Sequence, residues 1–433
     1  MGAPRNDGMW MPIGMRRHGQ PSKWRDVTSP LYQRITVIPN RRRRVRNLYY
    51  GYPSERRNMG APRNGGVMDS PPNDGIHRTR KEIFVKTRVT ELFGIRYPIV
   101  LSGMSWISVP SMVAAVSNAG GLGILATGPL NAGETRAAIR EVRSLTDKPF
   151  GANATLMFPG AHENARVLLE ERVPVINFSL GKGDWLAKGA HAYGGKVIAT
   201  VVNERHARSA REQGADGLIV TGHEAAAHGG DATSMVLIPA VADAVSIPII
   251  AAGGFIDGRG LMAALALGAE GIAMGTGFMT TRESPLHSIY KNLSMEKSIN
   301  DTIYGTHFDG LGCRSMTTPA ALRAYRKGIL GLPNFPAALT NSRDIARSLG
   351  LPYYKLFLGV LASGWKNMVT MAYLANAFKM IRVATEEGDT REGVLPVGQC
   401  QGLIRDIPTV AELMDRIVAQ AAAIPERLAG TME

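Results

Sequence analysis

The stretch Pro248-Ile-Ile-Ala-Ala-Gly-Gly-Phe-Ile-Asp257, then a helix-period segment at Arg259–Leu267, then Gly271-Ile-Ala-Met-Gly-Thr-Gly-Phe278 carries the pattern on which the fold turns. A short apolar run ends in a glycine turn, a helix follows, and a second apolar run ends in a second glycine turn. Apolar residues on both faces of a strand are expected when helices cover both sides of a parallel sheet.

Working outward, the same unit recurs every 21 to 31 residues from Tyr97 onward. Strands are expected at Pro98–Ser102, Leu122–Ala126, Phe150–Ala154, Val173–Phe178, Lys196–Val201, Gly217–Val220, Pro248–Ala252 and Gly271–Met274. Helices are expected at Val109–Asn118, Ala132–Ser144, Glu163–Glu171, Glu204–Gln213, Val236–Val245 and Arg259–Leu267. Strand, crossover helix and parallel strand make a right-handed unit. Eight of them predict an α/β fold of the (β/α)8 barrel type; an open doubly wound sheet is the alternative with the same alternation.

The repeat stops after the eighth strand. Residues 283–392 hold a Gly/Arg/Thr-rich stretch, Phe308-Asp-Gly-Leu-Gly-Cys-Arg-Ser-Met-Thr-Thr-Pro319, and an apolar helical pattern from Tyr353 to about Val383. They are read as a mainly helical lid subdomain over the barrel mouth. The chain returns to the barrel at 393–433. The Met and aromatic residues of the pattern are read as core.

Of 433 residues, 45% are hydrophobic, and no apolar run is long enough to cross a membrane. Two cysteines, Cys313 and Cys400, exclude a disulfide scaffold and a cysteine-rich zinc site and suit a reducing, cytoplasmic setting. A metal site from His223 and His228 lacks a third ligand, so none is expected. The net charge of +14 is uneven: residues 1–80 hold 16 Lys and Arg against 5 Asp and Glu, whereas the remainder holds 34 against 31. That first segment repeats Met-Gly-Ala-Pro-Arg-Asn at Met1–Asn6 and Met59–Asn64 and lacks apolar periodicity. Residues 1–87 are therefore read as a disordered Arg-rich extension. Organelle targeting and phosphate or nucleic-acid contact through Arg41–Arg44 are the competing readings; no nucleic-acid or membrane partner is expected of the barrel.

Barrel chemistry belongs to the loops leaving the C-terminal strand ends. Ala252-Gly-Gly254 and Gly275-Thr276 lie at two adjacent ends, where glycines let main-chain N–H groups approach a phosphate and a following helix N-terminus favours negative charge. Asn153, at the third strand end, can both donate to and accept from a heteroaromatic edge, although alone it would read as a turn residue. Met104, after the first strand, suits the face of a flat ring or the core equally. His228 lies among small residues after the sixth strand and is the candidate catalytic base.

These motifs resemble the nitronate monooxygenase (2-nitropropane dioxygenase) family of FMN-dependent TIM barrels. The similarity runs through Tyr97-Pro-Ile99, Ala119-Gly-Gly-Leu-Gly123, Phe150-Gly-Ala-Asn153, Glu224-Ala-Ala-Ala-His228, Ala252-Gly-Gly254, Gly275-Thr276 and Gly398-Gln-Cys-Gln-Gly-Leu-Ile404. It implies FMN with its phosphate on Gly253, Gly254, Gly275 and Thr276, its ring near Met104, Asn153 and Lys196, and Gln399 close by. It implies His228 as catalytic residue and oxidative denitrification of a nitronate or nitroalkane by O2, giving a carbonyl compound and nitrite. The chain departs from the family at Ala226 and Ala227, where glycines are usual, at Ser102-Gly103, and at Thr221. An FMN-dependent enoyl-thioester (enoyl-ACP) reductase using NAD(P)H is similar in the same motifs. A cysteine-nucleophile barrel acting through Cys313 and a nucleic-acid-binding arm on an inactive barrel are weaker alternatives.

Overall fold

The computed structural model describes residues 85–226, 228–326 and 333–431; the expectations for the first 84 residues lie outside them. Eight parallel strands close into a barrel: β1 (Ile99–Leu101), β2 (Leu122–Leu125), β3 (Phe150–Thr155), β4 (Val175–Ser179), β5 (Lys196–Val201), β6 (Gly217–Thr221), β7 (Ile249–Ala252) and β8 (Ile272–Met274). Closure is made by β8 against β1, with Ile99 opposite Ile272 and Leu101 opposite Met274. The fold is the (β/α)8 barrel.

Successive strand residues face opposite ways, and both directions are apolar. Val100, Leu122, Ile124, Val175, Ile198, Ile219 and Ile250 fill the interior. Ile99, Leu101, Ile176, Val197, Leu218, Ala251 and Ile272 pack beneath the outer helices. Each such buried Val, Leu or Ile side chain contributes about 1.5–3 kcal/mol, which is why these runs read as unbroken apolar stretches.

Helix α1 (Arg88–Phe93) starts at Thr87 through a capping box and adds Val89 and Phe93 to the interior cluster at the N-terminal barrel end. The outer layer is α2 (Pro110–Asn118), α3 (Ala132–Leu145), α4 (Ala161–Glu170), α5 (Asp184–His191), α6 (Glu204–Glu212), α7 (Ser234–Ala244) and α8 (Gly258–Ala266).

After β8 come α9 (Thr276–Met279) and α10 (Ser288–Glu296), then an antiparallel pair, β9 (Thr302–Gly305) and β10 (Cys313–Met316). The segment read as mainly helical thus carries a hairpin, because the glycines at 305, 310 and 312 favour a reversal over a helix. Helices α11 (Pro319–Ala324), α12 (Phe335–Ser348), α13 (Tyr353–Ala362) and α14 (Trp365–Arg382) follow. The apolar helical pattern from Tyr353 to about Val383 is divided at Gly364, whose φ is 88°. Finally α15 (Val410–Ala429) packs on α8, where Gln420 Oε1 accepts from Gly258 N–H at 2.9 Å.

Candidate functional site

Gly253 and Gly254 leave β7 with φ of 99° and 86°, a conformation costly for any residue bearing a Cβ. A Cβ on Gly253 would lie 3.0 Å from Gly222 O and 3.2 Å from Ala225 N. The two turns after β6 and β7 are therefore pressed together by main chain. Glu224 fastens the junction. Its carboxylate accepts from Ser234 N–H at 2.9 and 3.1 Å, and its carbonyl accepts from Gln399 N–H at 2.9 Å.

Next to it, the Thr276 hydroxyl oxygen accepts from Gly398 N–H at 2.9 Å. Cys400 is buried at the same junction, and burial pushes its thiol up to about 11. Gly253, Gly254, Thr276 and Gln399 are thus brought together from three distant parts of the chain. The helix-terminus part of the phosphate expectation does not hold. Asp257 already accepts from Arg259 and Gly260 N–H groups at the start of α8, and α9 is a single turn. Any anion here is left to the glycine turns.

At the other side of the mouth, Asn153 ties two loops. Its Oδ1 accepts from Thr127 N–H at 2.9 Å and its Nδ2 donates to Gly103 O at 3.1 Å. One amide hydrogen and one acceptor position of Asn153 stay free of these bonds. Met104 is fixed by its N–H donating to Ser108 Oγ at 3.0 Å. Its sulfur lies 3.2 Å from where a Cβ on Gly275 would sit, so Met104 and Gly275 meet across the closure of β1 and β8.

Lys196 requires correction. It is the first residue of β5, paired in register with Val175, and lies at the N-terminal barrel end, about 16 Å of strand away from the mouth. The motif carried its residue type but not its height in the barrel. The polar pair at the upper part of β4 and β5 is instead Asn177 with Thr200, joined at 3.1 Å.

His228 stands in the loop after β6, about one-quarter exposed. Its Nε2 lies 2.9 Å from Asp309 Oδ2, and Asp309 is 7% exposed. The second carboxylate oxygen accepts from Leu311 N–H at 3.0 Å, which holds it toward the ring. A carboxylate on Nε2 keeps the hydrogen on that nitrogen and the lone pair on Nδ1. Among the described residues Nδ1 has no hydrogen-bond partner, which leaves its lone pair available.

The hairpin grips the same loop twice more. Tyr304 donates its hydroxyl to Gly229 O at 3.2 Å. Arg314 donates from Nη2 to His223 O at 3.0 Å and from Nη1 to Thr302 Oγ1 at 3.0 Å. Burial lowers the Arg314 guanidinium from its ordinary range, yet it stays charged at neutral pH. Asp309, Tyr304 and Arg314 were not singled out from sequence. Asp309 is separated from His228 by 81 residues, and the only trace was a carboxylate inside an otherwise glycine-rich turn. Cys313 of β10 is buried, and burial drives its thiol well above the usual range, which argues against a nucleophile there.

The nitronate monooxygenase family model matches residues 86–171 and 159–420. A (3aS,4S,5R,7aS)-5-hydroxy-7a-methyl-1-oxo-octahydro-1H-indene-4-carboxyl-CoA dehydrogenase of Rhodococcus jostii strain RHA1 is 37% identical over 340 residues, covering 78% of this chain and 96% of its own. A probable nitronate monooxygenase of Staphylococcus aureus strain Newman is 29% identical over 271 residues, covering 52% of this chain and 76% of its own. Among solved structures, FabK from Thermotoga maritima is 35% identical with a TM-score of 0.66, covering 80% of this chain and 99% of its own. The chain belongs to the nitronate monooxygenase family and is an oxidoreductase of that family.

Proposed function

We propose that this protein is a flavin-dependent oxidoreductase of acyl thioesters, in which His228 handles the proton next to the thioester carbonyl. The observation that carries the proposal is the His228–Asp309 pair at 2.9 Å, because an imidazole with its lone pair fixed on Nδ1 is what abstraction from a carbon acid needs. The thioester class is supported by the Rhodococcus relative, a CoA-thioester dehydrogenase matched over 96% of its length.

The residues present fit flavin mononucleotide. Two consecutive left-handed glycines, with no room for a Cβ at Gly253, leave main chain bare beside Gly275 and Thr276 for a phosphate. Met104 and the free valences of Asn153 suit the face and edge of a flat heteroaromatic ring, with Gln399 beside the phosphate turns. Bound there, the flavin would supply two-electron transfer to or from carbon. The chain's own part is to place the substrate, to take the α-proton on His228 Nδ1 in dehydrogenation, and to return it in the reverse direction. Asp309 stabilises the imidazolium that results.

A second reading keeps the same site and changes the carbon acid. A nitroalkane or its nitronate would be oxidised with O2 to a carbonyl compound and nitrite, His228 taking the α-proton or steadying the anion. The family model and the Staphylococcus relative favour it. Anaerobic mixing of the holoprotein with an acyl-CoA, with propionate 3-nitronate, or with NADH followed by an enoyl thioester separates these cases through the flavin's visible band. Bleaching by the acyl-CoA, or bleaching by NADH with recovery on adding the enoyl thioester, is expected. Bleaching by the nitronate alone would replace the thioester reading with the second one. Protein that neither carries nor takes up flavin would end both.

A further inference from the structure

Between the barrel mouth and helices α12, α13 and α14 lies a cavity of about 320 Å³. No charged side chain lines it among the described residues. Its two polar side chains, Ser342 and Tyr353, face each other at 3.5 Å. It is open on one side, where the lining residues Leu339, Phe357 and Leu361 stay exposed, and it falls in the size range of small-molecule sites.

The surrounding residues favour a site over a packing fault. Gly128, Ala372 and Ala375 present minimal side chains where larger ones would fill the space. Helix α13, sequence YYKLFLGVLA, has no buried residue; Leu356 lines the cavity and is only half-buried. Ordinary core helices bury such a face.

The position says what the occupant belongs to. Gly128 follows Thr127, whose N–H is bound by Asn153, so the cavity's barrel wall begins one residue from the group proposed at the ring edge. On the lid side, Phe378 meets Trp106 at a centroid distance of 4.4 Å, and Trp106 lies two residues beyond Met104. The cavity therefore adjoins the mouth on the side of β1, β2 and β3.

We propose that this cavity binds the hydrocarbon part of the acyl group, with the thioester at the mouth and the charged remainder of the carrier outside. Its naming as an acyl group rests on the function proposed above; the cavity's preference for a hydrocarbon does not. The uncharged walls exclude the nucleotide end of a CoA, because an unpaired charge there would lose its hydration.

The test is direct binding to the full-length holoprotein. A series of straight-chain carboxylates from butanoate to dodecanoate would be measured by displacement of the fluorescent fatty acid cis-parinaric acid. Kd is expected to fall about fourfold per added methylene until the cavity is full. Ala375→Trp, which fills the space, and Leu356→Asp, on a helix with little burial to lose, should each weaken decanoate at least tenfold while the flavin spectrum is kept. Leu358→Asp, on the exposed face of α13, should leave decanoate binding as it was. Chain-length-independent binding, or wild-type binding by both cavity variants, would overturn the inference. So would equal weakening by Leu358→Asp, which would move binding to the outer face. Carboxylate binding with this pattern, in a protein whose flavin no thioester reaches, would keep the cavity and remove the thioester function. Bleaching by acyl-CoA without chain-length dependence would do the reverse.

Discussion

Replacing Asp309 with asparagine keeps the side chain's shape and reverses the hydrogen bond it makes to His228. In the wild type the carboxylate accepts across 2.9 Å, so the hydrogen stays on Nε2 and the lone pair on Nδ1. In Asp309→Asn the new carboxamide's oxygen would still accept from Leu311 N–H, so its nitrogen would face Nε2 and donate. The hydrogen would then sit on Nδ1, which can no longer accept a proton. A charge-assisted hydrogen bond of this kind is worth about 1.5–3 kcal/mol, or about 10- to 160-fold in rate. The assay is single-turnover anaerobic bleaching of the flavin by the thioester, with cofactor content and thermal midpoint measured alongside. Slowing of that size with cofactor content retained is the expected outcome. Wild-type bleaching with intact flavin would refute the tautomer argument.

Further expectations are as direct. Gly253→Ala should cost roughly 1–2 kcal/mol for a left-handed alanine and, through its contact with Gly222 O, lower flavin retention at least tenfold; full flavin content would speak against the cradle. Lys196→Met, at the far barrel end, should leave flavin affinity within twofold, and a large loss would contradict its placement. Cys313 and Cys400 are both buried and should react with a thiol reagent only on unfolding; rapid labelling of the native protein would count against their burial. Burial raises the Cys400 thiol to about 11 and the Tyr193 hydroxyl to about 12. Both groups are neutral when protonated, and the unfolded chain ionises them first as the pH rises above about 9. Stability therefore declines from there until the pH reaches the folded-state values, and is unaffected by these groups below about pH 9. Base titration followed by circular dichroism should show that decline, and a flat profile to pH 12 would disagree.

The barrel was legible because its signal is repeated and local. Lys196–Val201 is observed with the bounds read from sequence, and the other strands differ by a residue or two at their ends, where the parallel ladder decides the last paired residue. Helix α5 went unnamed because Asp184–His191 is short and carries only three buried residues, Leu186, Ala187 and Ala190. The glycine turns and the His228 loop were visible as residue types at strand ends. What stayed hidden was non-local: Asp309, Tyr304 and Arg314 act on the β6 loop from a hairpin some 80 residues later, and no periodicity links them. Lys196 differs for the converse reason: its residue type suits a ring contact, but as the first residue of β5 it stands at the opposite barrel end.

The measurement that tests the account most directly is the anaerobic bleaching of bound flavin by the same thioester in wild type and His228→Gln. Equal flavin content in both, with bleaching slowed by about 100-fold or more in the variant, is the expected result. Equal rates would show that His228 does not move the proton, and colourless protein in both would show that the glycine turns hold no flavin.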